Sequence, residues 1–346
     1  MSAGDSLKTP TVWFVGGIFS APLVIAAIRR AESEAGASAQ GQGLAPMRIM
    51  ISHRLDEKRG MAQCDIFEPE PAGREEAGFM EWSLEMARRH AVDLIIPRRN
   101  GSWFARARQR FAAVGAQVLV PADAETLDTI ENKAALYRAL PSQMVNVPRF
   151  HVVHDLSAFD QALEDLSRLG TVCIKPTVGI AARGFRVLNE ALGAGRADGD
   201  VYMSAEQARA ELAAMKCFPE LMVMPYLAGP ERSLDCLGLN GALVCAVVRR
   251  KSQNGRQLLE DNQELLEVAR KLTEELNLTG LYNIQFMEGE DGRQYLLEIN
   301  PRMAGGVHLG AASGVCLPYW AVRLATGSAC LEDVPEPCTG GMARQA

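Results

Sequence analysis

Four short apolar segments in the first third of the chain, residues 12–19, 47–51, 93–96 and 117–120, alternate with stretches of helical composition at 21–30, 79–90 and 102–114. No other feature constrains the fold as strongly. Parallel strands cannot be joined by a tight turn, and a helix laid on the sheet is the usual crossover between them. Pro97 and Pro121 stop two of the segments, since proline cannot donate to a strand ladder. Residues 1–120 therefore read as a parallel sheet with helices on its faces. Residues 31–46, rich in Ala, Gly, Ser and Gln, read as a surface loop. Gly16-Gly17 falls within the first segment, but G-x-G-x-x-G is absent and no dinucleotide site is expected there.

Beyond Pro121 the pattern changes. Asp128 and Glu131 can open a helix, in the manner of a capping box, that runs to Leu140. Strands follow at 150–153, 172–175 and 184–188, with a helix at 156–169 and a loop at 193–200. The last third carries antiparallel signals. Strands at 233–239 and 242–249 flank Asn240-Gly241, a dipeptide that favours a tight hairpin turn. A strand at 221–227, a helix at 260–276 and a second hairpin, 281–287 with 294–299, complete the pattern.

The chain's 346 residues are 48% hydrophobic, enough for a large core divided into two or three units. A net charge of -6 argues against a nucleic-acid backbone or an anionic membrane as partner, though a local Lys/Arg cluster can still hold phosphate. Eight cysteines include no C-x-x-C pair, which leaves zinc-ribbon and thioredoxin readings unsupported. Residues 1–10 are polar, and no apolar run reaches the roughly 18 residues of a membrane span. The expectation is a reduced, soluble, cytoplasmic protein.

Three segments could carry chemistry. In the second hairpin, Glu298 and Asn300 fall on one strand face, and Gln285 on the facing strand could join them. These oxygen donors suit Mg²⁺, which takes one or two carboxylates and completes its shell with substrate phosphates. A solvated polar face on an edge hairpin is the competing reading. The segment 173–185 ends an apolar strand at Lys175 and passes through a small-residue loop holding Gly179 and Gly184. Small residues let backbone N–H groups approach phosphate, and lysine adds a point charge; a hairpin with a surface lysine would look similar. The segment 221–231 breaks at Pro225 and reaches Glu231 through a Gly-Pro turn. The break could free backbone groups for an adenine edge and the carboxylate could accept ribose hydroxyls, or it could be a plain turn with a solvated Glu.

In order and spacing these segments resemble the ATP-grasp superfamily, most closely the carbamoyl phosphate synthetase-like, carboxylate–amine ligase branch. The resemblance is loose over 11–120 and firm from about Glu131 to Gly327. It implies an α/β chain: an N-terminal Rossmann-like (pre-ATP-grasp) domain at 1–120, a two-lobed α+β ATP-grasp domain with a central lobe at 121–200 and a C-terminal lobe at 201–330, and a tail at 331–346. ATP would lie between the lobes. The resemblance assigns Lys133 and Lys175 to nucleotide phosphates, with Gly179 and Gly184 in the covering loop. Met224, Tyr226 and Leu227 match the adenine hinge and Glu231 the ribose carboxylate. Gln285, Glu298 and Asn300 match ligands for Mg²⁺, with Mn²⁺ as a substitute, and Arg302 faces the transferred phosphoryl group. Arg302 and Lys175 would be the catalytic pair. Met224 and Gln285 depart from the acidic residues common in relatives, which shifts adenine contacts to backbone groups and lowers the charge of the metal site.

The implied chemistry is activation of a small carboxylic acid as an acyl phosphate, then attack by an amine. Small-molecule carboxylate and amine substrates are the expected partners, with a homodimer left open. Another ATP-grasp reaction, bicarbonate carboxylation or phosphoryl transfer, and a non-catalytic nucleotide-binding role are the alternatives. Gly305-Gly306 could hold a substrate carboxylate beside His308 as a proton shuttle. Arg249, Arg250 and Lys251 could face the same cleft or be a solvated strand end.

Overall fold

The computed structural model describes residues 9–16, 20–38, 45–54, 64–73, 75–179, 183–189, 201–252 and 256–344. The expected loop at 193–200, residues 180–182 of the small-residue loop, Gly17 and most of the polar start lie outside them. The chain forms two compact units. One comprises Met1–Asp128, Arg232–Gln285 and Ile299–Ala346, and the other Thr129–Glu231 and Phe286–Glu298.

The first unit opens with a parallel sheet of β1 (Thr11–Val15), β2 (Arg48–His53), β3 (Ile66–Pro69), β4 (Leu94–Pro97) and β5 (Gln117–Val118), in the order β3-β2-β1-β4-β5. Every residue of β1 and β4 is buried, as parallel strands covered on both faces require. Helices α1 (Ala21–Ser38), α2 (Glu76–Arg89), α3 (Gly101–Arg106) and α4 (Arg108–Ala112) accompany the sheet. Two expectations need correction. Residues 31–38 continue α1 instead of forming a loop: Ala31 and Ala35 pack on the core, and Arg29–Glu32 (2.9 Å) and Arg30–Glu34 (2.7 Å) pair along the helix. The helix expected at 102–114 is two short helices separated at Ala107.

In the second unit α5 (Ala124–Glu131), which begins in the first, leads to α6 (Lys133–Ala139). The single helix expected from Asp128 to Leu140 is therefore broken. Asn132 interrupts it: its side chain leaves the helix and accepts from the Ala134 and Ala135 N–H groups at 3.1 and 3.0 Å. The break makes Lys133 the first residue of a new helix. A five-stranded sheet follows, β6 (His151–Val153), β7 (Val172–Pro176), β8 (Arg186–Leu188), β9 (Tyr202–Met203) and β10 (Leu221–Pro225), ordered β6-β10-β7-β8-β9. α7 (Leu156–Leu166) and α8 (Ala205–Ala214) cover it, burying Phe159, Leu166 and Leu212 against Val172, Ile174 and Val223.

The remaining sheet is β11 (Glu231–Leu239), β12 (Ala242–Lys251), β13 (Arg256–Glu260), β14 (Gly280–Glu288), β15 (Gln294–Asn300) and β16 (Met342–Arg344), ordered β15-β14-β11-β12-β13-β16. Asn240 and Gly241 both have positive φ, 49° and 79°, the hairpin turn their sequence favours. α9 (Gln263–Glu275) is capped by Asn262, and α10 (Leu317–Ala325) lies near the C-terminus. Within the first unit one core joins β1, α1, β2 and β4 to Val247, Leu259, Val307 and α10. The amino-terminal sheet is thus packed with the C-terminal segments as a single body.

Candidate functional site

Helix α6 begins the site in the second unit. Lys133 N–H donates to Thr177 O at 2.9 Å, and its Nζ lies 3.0 Å from Gly179 O and 3.2 Å from Glu298 Oε2. Tyr137 stands one turn further on the same helix face. Its hydroxyl reaches the carbonyls of Leu296 (2.7 Å) and Leu297 (2.8 Å), which fixes the strand that carries Glu298. Lys175, at the end of β7, has its ammonium 5.7 Å from the Tyr137 ring centre and 3.4 Å from Leu297 O. Lys133 pairs with Glu298, and Lys175 lies over the ring of Tyr137 next to them.

Two ammonium groups facing one carboxylate leave a surplus positive charge. Burial, and then the charge of Lys133, lowers the Lys175 pKa to about 8 against the opposing pull of Cys173 and Glu298. Burial and Glu298 push the Tyr137 hydroxyl up, which keeps it a hydrogen-bond donor. Such a surplus fits a polyphosphate.

The hinge residues lie in the same unit. Pairing of β10 with β6 covers Leu221–Val223, whereas pairing with β7 runs to Pro225. From Met224 onward the strand has lost its β6 partner. Met224 is buried with Cys173 and Val187, and the Tyr226 ring is 6.4 Å from Phe185. Tyr226 N–H donates to Thr171 O (2.7 Å), so that donor is not free for a base edge. Leu227 is half-buried in the loop before Glu231, the half-buried first residue of β11. A Cβ on Gly229 would come within 2.3 Å of Glu288 O, so the turn tolerates only glycine. Gly184 turns the chain towards β8.

Gln285, Asn300 and Arg302 lie in the first unit, and Glu298 is the last residue of the second. Gln285 is half-buried on β14. Glu298 and Asn300 are half-buried on β15 with Ile299 buried between them, Leu297 is half-buried and Leu296 is buried. Arg302 donates to Asn300 Oδ1 (3.1 Å) and Met303 O (3.2 Å). One carboxylate with an amide oxygen two residues away fits Mg²⁺ only where phosphates complete the shell. Among the described residues no group of three or more His, Cys, Asp and Glu could cage a metal.

The expectations for Arg249 to Lys251 divide. Arg249 is 2% exposed and held bidentate by Asp235 at 2.7 and 3.0 Å, and Asn283 donates to the same carboxylate at 3.0 Å. Arg249 is therefore a buried structural cation and no solvated strand end. Arg250 pairs with Glu260 (2.9 Å), and Lys251 is exposed. The Arg249 Nη1 atom would lie 2.9 Å from a Cβ on Gly306, so a side chain there would collide with it. His308 has both ring nitrogens buried without a partner in hydrogen-bonding geometry.

Burial, and after it the Arg249 charge, lowers the His308 pKa. Asp235 and the Gly305 backbone oppose the effect, and Arg98 adds to it. The folded state therefore disfavours protonation. The stability His308 contributes is present above its ordinary value of 6.5 and is lost as pH falls through the folded value. His308→Gln should accordingly flatten the fall in melting temperature between about pH 7 and about pH 5. Parallel melting curves for the two proteins across that range would rule this out.

Sequence reasoning missed two residues. Tyr137 was findable as the position one turn after Lys133. Arg98 follows β4 and is 4% exposed, with Nε and Nη2 lacking hydrogen-bond partners. Its signal was a charged residue just beyond the carboxyl end of a parallel strand, where ligands gather.

Comparison with known proteins identifies the fold. The chain is similar to the ADP complex of N5-carboxyaminoimidazole ribonucleotide synthetase at 16% identity and a TM-score of 0.66, covering 98% of this chain and 82% of that one. An L-amino acid ligase from Bacillus licheniformis matches at 14% identity and a TM-score of 0.63, over 95% and 78% of the two chains. The biotin carboxylase domain of Hydrogenobacter thermophilus 2-oxoglutarate carboxylase, in complex with MgADP and bicarbonate, matches at 14% and 0.66, over 97% and 74%. The fold is that of these solved structures, with a parallel α/β sheet at the amino end. More narrowly, residues 217–344 match the family described as ATP-grasp in the biosynthetic pathway with Ter operon. No curated protein sequence matches the chain. Among the described residues no helix is long and apolar enough to cross a membrane, and all eight cysteines are free.

Proposed function

We propose that the protein is an ATP-dependent carboxylate–amine ligase that acts through an acyl phosphate on a small acid or amino acid. The observation that carries this reading is the pairing of Lys133 with Glu298 next to Lys175, a cluster whose excess positive charge needs a polyanion. Lys133 and Lys175 bind the ATP phosphates. Met224, Tyr226 and Leu227 line the base, through side chains and carbonyls since the Tyr226 N–H is already engaged, and Glu231 accepts from the ribose. Glu298 and Asn300, with Gln285 as a neutral third donor, would hold Mg²⁺, or Mn²⁺ in its place. The metal would screen the phosphate charge during transfer.

The acid carboxylate attacks the γ-phosphoryl group, and ADP leaves. Arg302 and Lys175 stabilise the charge that develops on the transferring oxygens. An amine then displaces phosphate from the acyl carbon and loses a proton. His308, held neutral, is suited to take that proton. The L-amino acid ligase among the similar structures favours an amino acid as substrate. The bicarbonate-bound carboxylase domain favours bicarbonate as the second reading.

A hydroxylamine trap separates the two. With MgATP and a panel of amino acids and small acids, the ligase gives a stable hydroxamate together with ADP. Bicarbonate-stimulated ADP release with no hydroxamate from any acid would reject the ligase reading.

A further inference from the structure

The parallel sheet changes direction between β1 and β4, because β2 and β3 lie to one side of β1 and β5 lies beyond β4. Ligands of open α/β sheets bind outside the carboxyl ends of strands at such a switch point. Arg98 stands there: its N–H donates to Val15 O, the last residue of β1, at 3.0 Å. The adjacent Arg99 pairs with the buried Glu70, which also accepts from Gly16 N–H and Ser52 Oγ at 2.9 Å. Arg98 has no such partner. It is 4% exposed, and its Nε and Nη2 atoms make no hydrogen bond. Across the switch point, the Ser20 hydroxyl at the start of α1 is also buried without a partner.

A buried guanidinium with unsatisfied N–H groups is costly, and proteins keep one where an anion completes it. The charge that acts on Arg98 is that of another arginine. Burial, and then Arg302, lowers its pKa to about 9, and no carboxylate offsets them. Arg302 itself spends two donors on Asn300 and Met303. The Arg98 guanidinium is thus a buried cation on which a second guanidinium of the same unit acts.

We propose that Arg98 and Arg302 form the anchoring site for the carboxylate of the acid substrate, with Arg98 as its specificity-determining cation. Guanidinium matches carboxylate as a planar fork, which an ammonium cannot do. The identity of the anion rests on the ligase reading; the presence of an anion site rests on Arg98 alone.

Thermal unfolding of the full chain without nucleotide tests it, with acetate, malonate or inorganic phosphate replacing chloride at constant ionic strength. Acetate or malonate should raise the wild-type melting temperature by about 2–4 °C. Arg98→Met should melt no lower than wild type in chloride, since an unpaired buried charge is gone, and should lose the carboxylate response. Arg98→Lys, which keeps the charge without the fork, should fold normally and lose most of that response; it decides the matter if the Met variant does not fold. Stabilisation by phosphate with none by carboxylates would overturn the proposal, because the cation would then serve a phosphoryl group. So would a carboxylate response that survives Arg98→Lys unchanged, or Arg98→Met melting several degrees below wild type in chloride. An intact, Arg98-dependent response with no hydroxamate from any acid would fault the ligase reading and leave the anion site standing. Hydroxamate formation with an unaltered response in Arg98→Lys would do the reverse.

Discussion

Glu298→Ala should lower acid-stimulated ADP release by about 10³-fold, the loss typical of removing a group that stabilises transferring charge. Its effect on binding should be more specific than a loss of activity. In the nucleotide-free protein Glu298 sits 3.2 Å from Lys133. Any metal that takes this carboxylate must pull it from the ammonium, and any phosphate that takes the ammonium must pull it from the carboxylate. Removing Glu298 releases Lys133. Metal-free ATP should therefore bind as tightly as to wild type, or up to about 5-fold tighter, in line with a salt bridge worth at most ~1 kcal/mol. The gain in affinity that Mg²⁺ gives the wild type should vanish. Titrating fluorescent ATP with and without Mg²⁺ reads both effects. A variant that keeps the Mg²⁺-dependent gain would remove Glu298 from the metal site, and unchanged ADP release would remove it from catalysis. The fold should survive, because Tyr137 holds β15 through the carbonyls of Leu296 and Leu297 and not through this side chain.

Lys175→Met should weaken ATP binding by about 10- to 100-fold, the range for a lost charge-assisted hydrogen bond to phosphate. The same substitution should stabilise the nucleotide-free protein. Folding holds the Lys175 pKa near 8 against an ordinary 10.5, so the folded state resists the charged form. Above 10.5 both states are neutral and nothing is lost. As pH falls towards 8 the penalty grows, and at neutral pH it is complete. Methionine keeps the contact with the Tyr137 ring without the charge. The melting temperature at neutral pH should rise by about 2–4 °C, and wild type should close the gap as pH is raised towards 10. A variant that melts lower at pH 7 while binding ATP normally would show that Lys175 supports the fold instead of the nucleotide.

The sequence made the strand–helix alternation readable because fully buried strands such as β1 and β4 are continuous apolar runs. It made the Asn240-Gly241 hairpin readable because that dipeptide accepts two positive φ angles. β3 was not readable: Ile66 to Pro69 is only half-buried and shows no two-residue alternation. The extent of α1 was hidden because its second half is small and polar, and is held by Arg–Glu pairs and tertiary packing. Asn132 was misjudged because a helix former on either side outweighed a single capping side chain.

The candidate site divides along the same line. Lys175, Glu298, Asn300 and Arg302 could be named because they end or follow recognisable strands. Tyr137 and Arg98 left only a positional signal, because what singles them out is three-dimensional: one is an aromatic ring beside the ammonium of a residue distant in sequence, the other a buried cation with two nitrogens that make no hydrogen bond.

The first compact unit is built from three separated stretches of chain, and its core mixes Val12, Ile28 and Leu94 with Val247, Val307 and Val322. During synthesis the amino-terminal sheet emerges long before the side chains that will cover it. Its apolar surface must wait some two hundred residues for completion, a period in which chains of this size are prone to self-association. The stretch from Thr129 to Glu231 has no such delay, since the greater part of its own core lies within it. The middle of this chain is thus positioned to fold before its beginning.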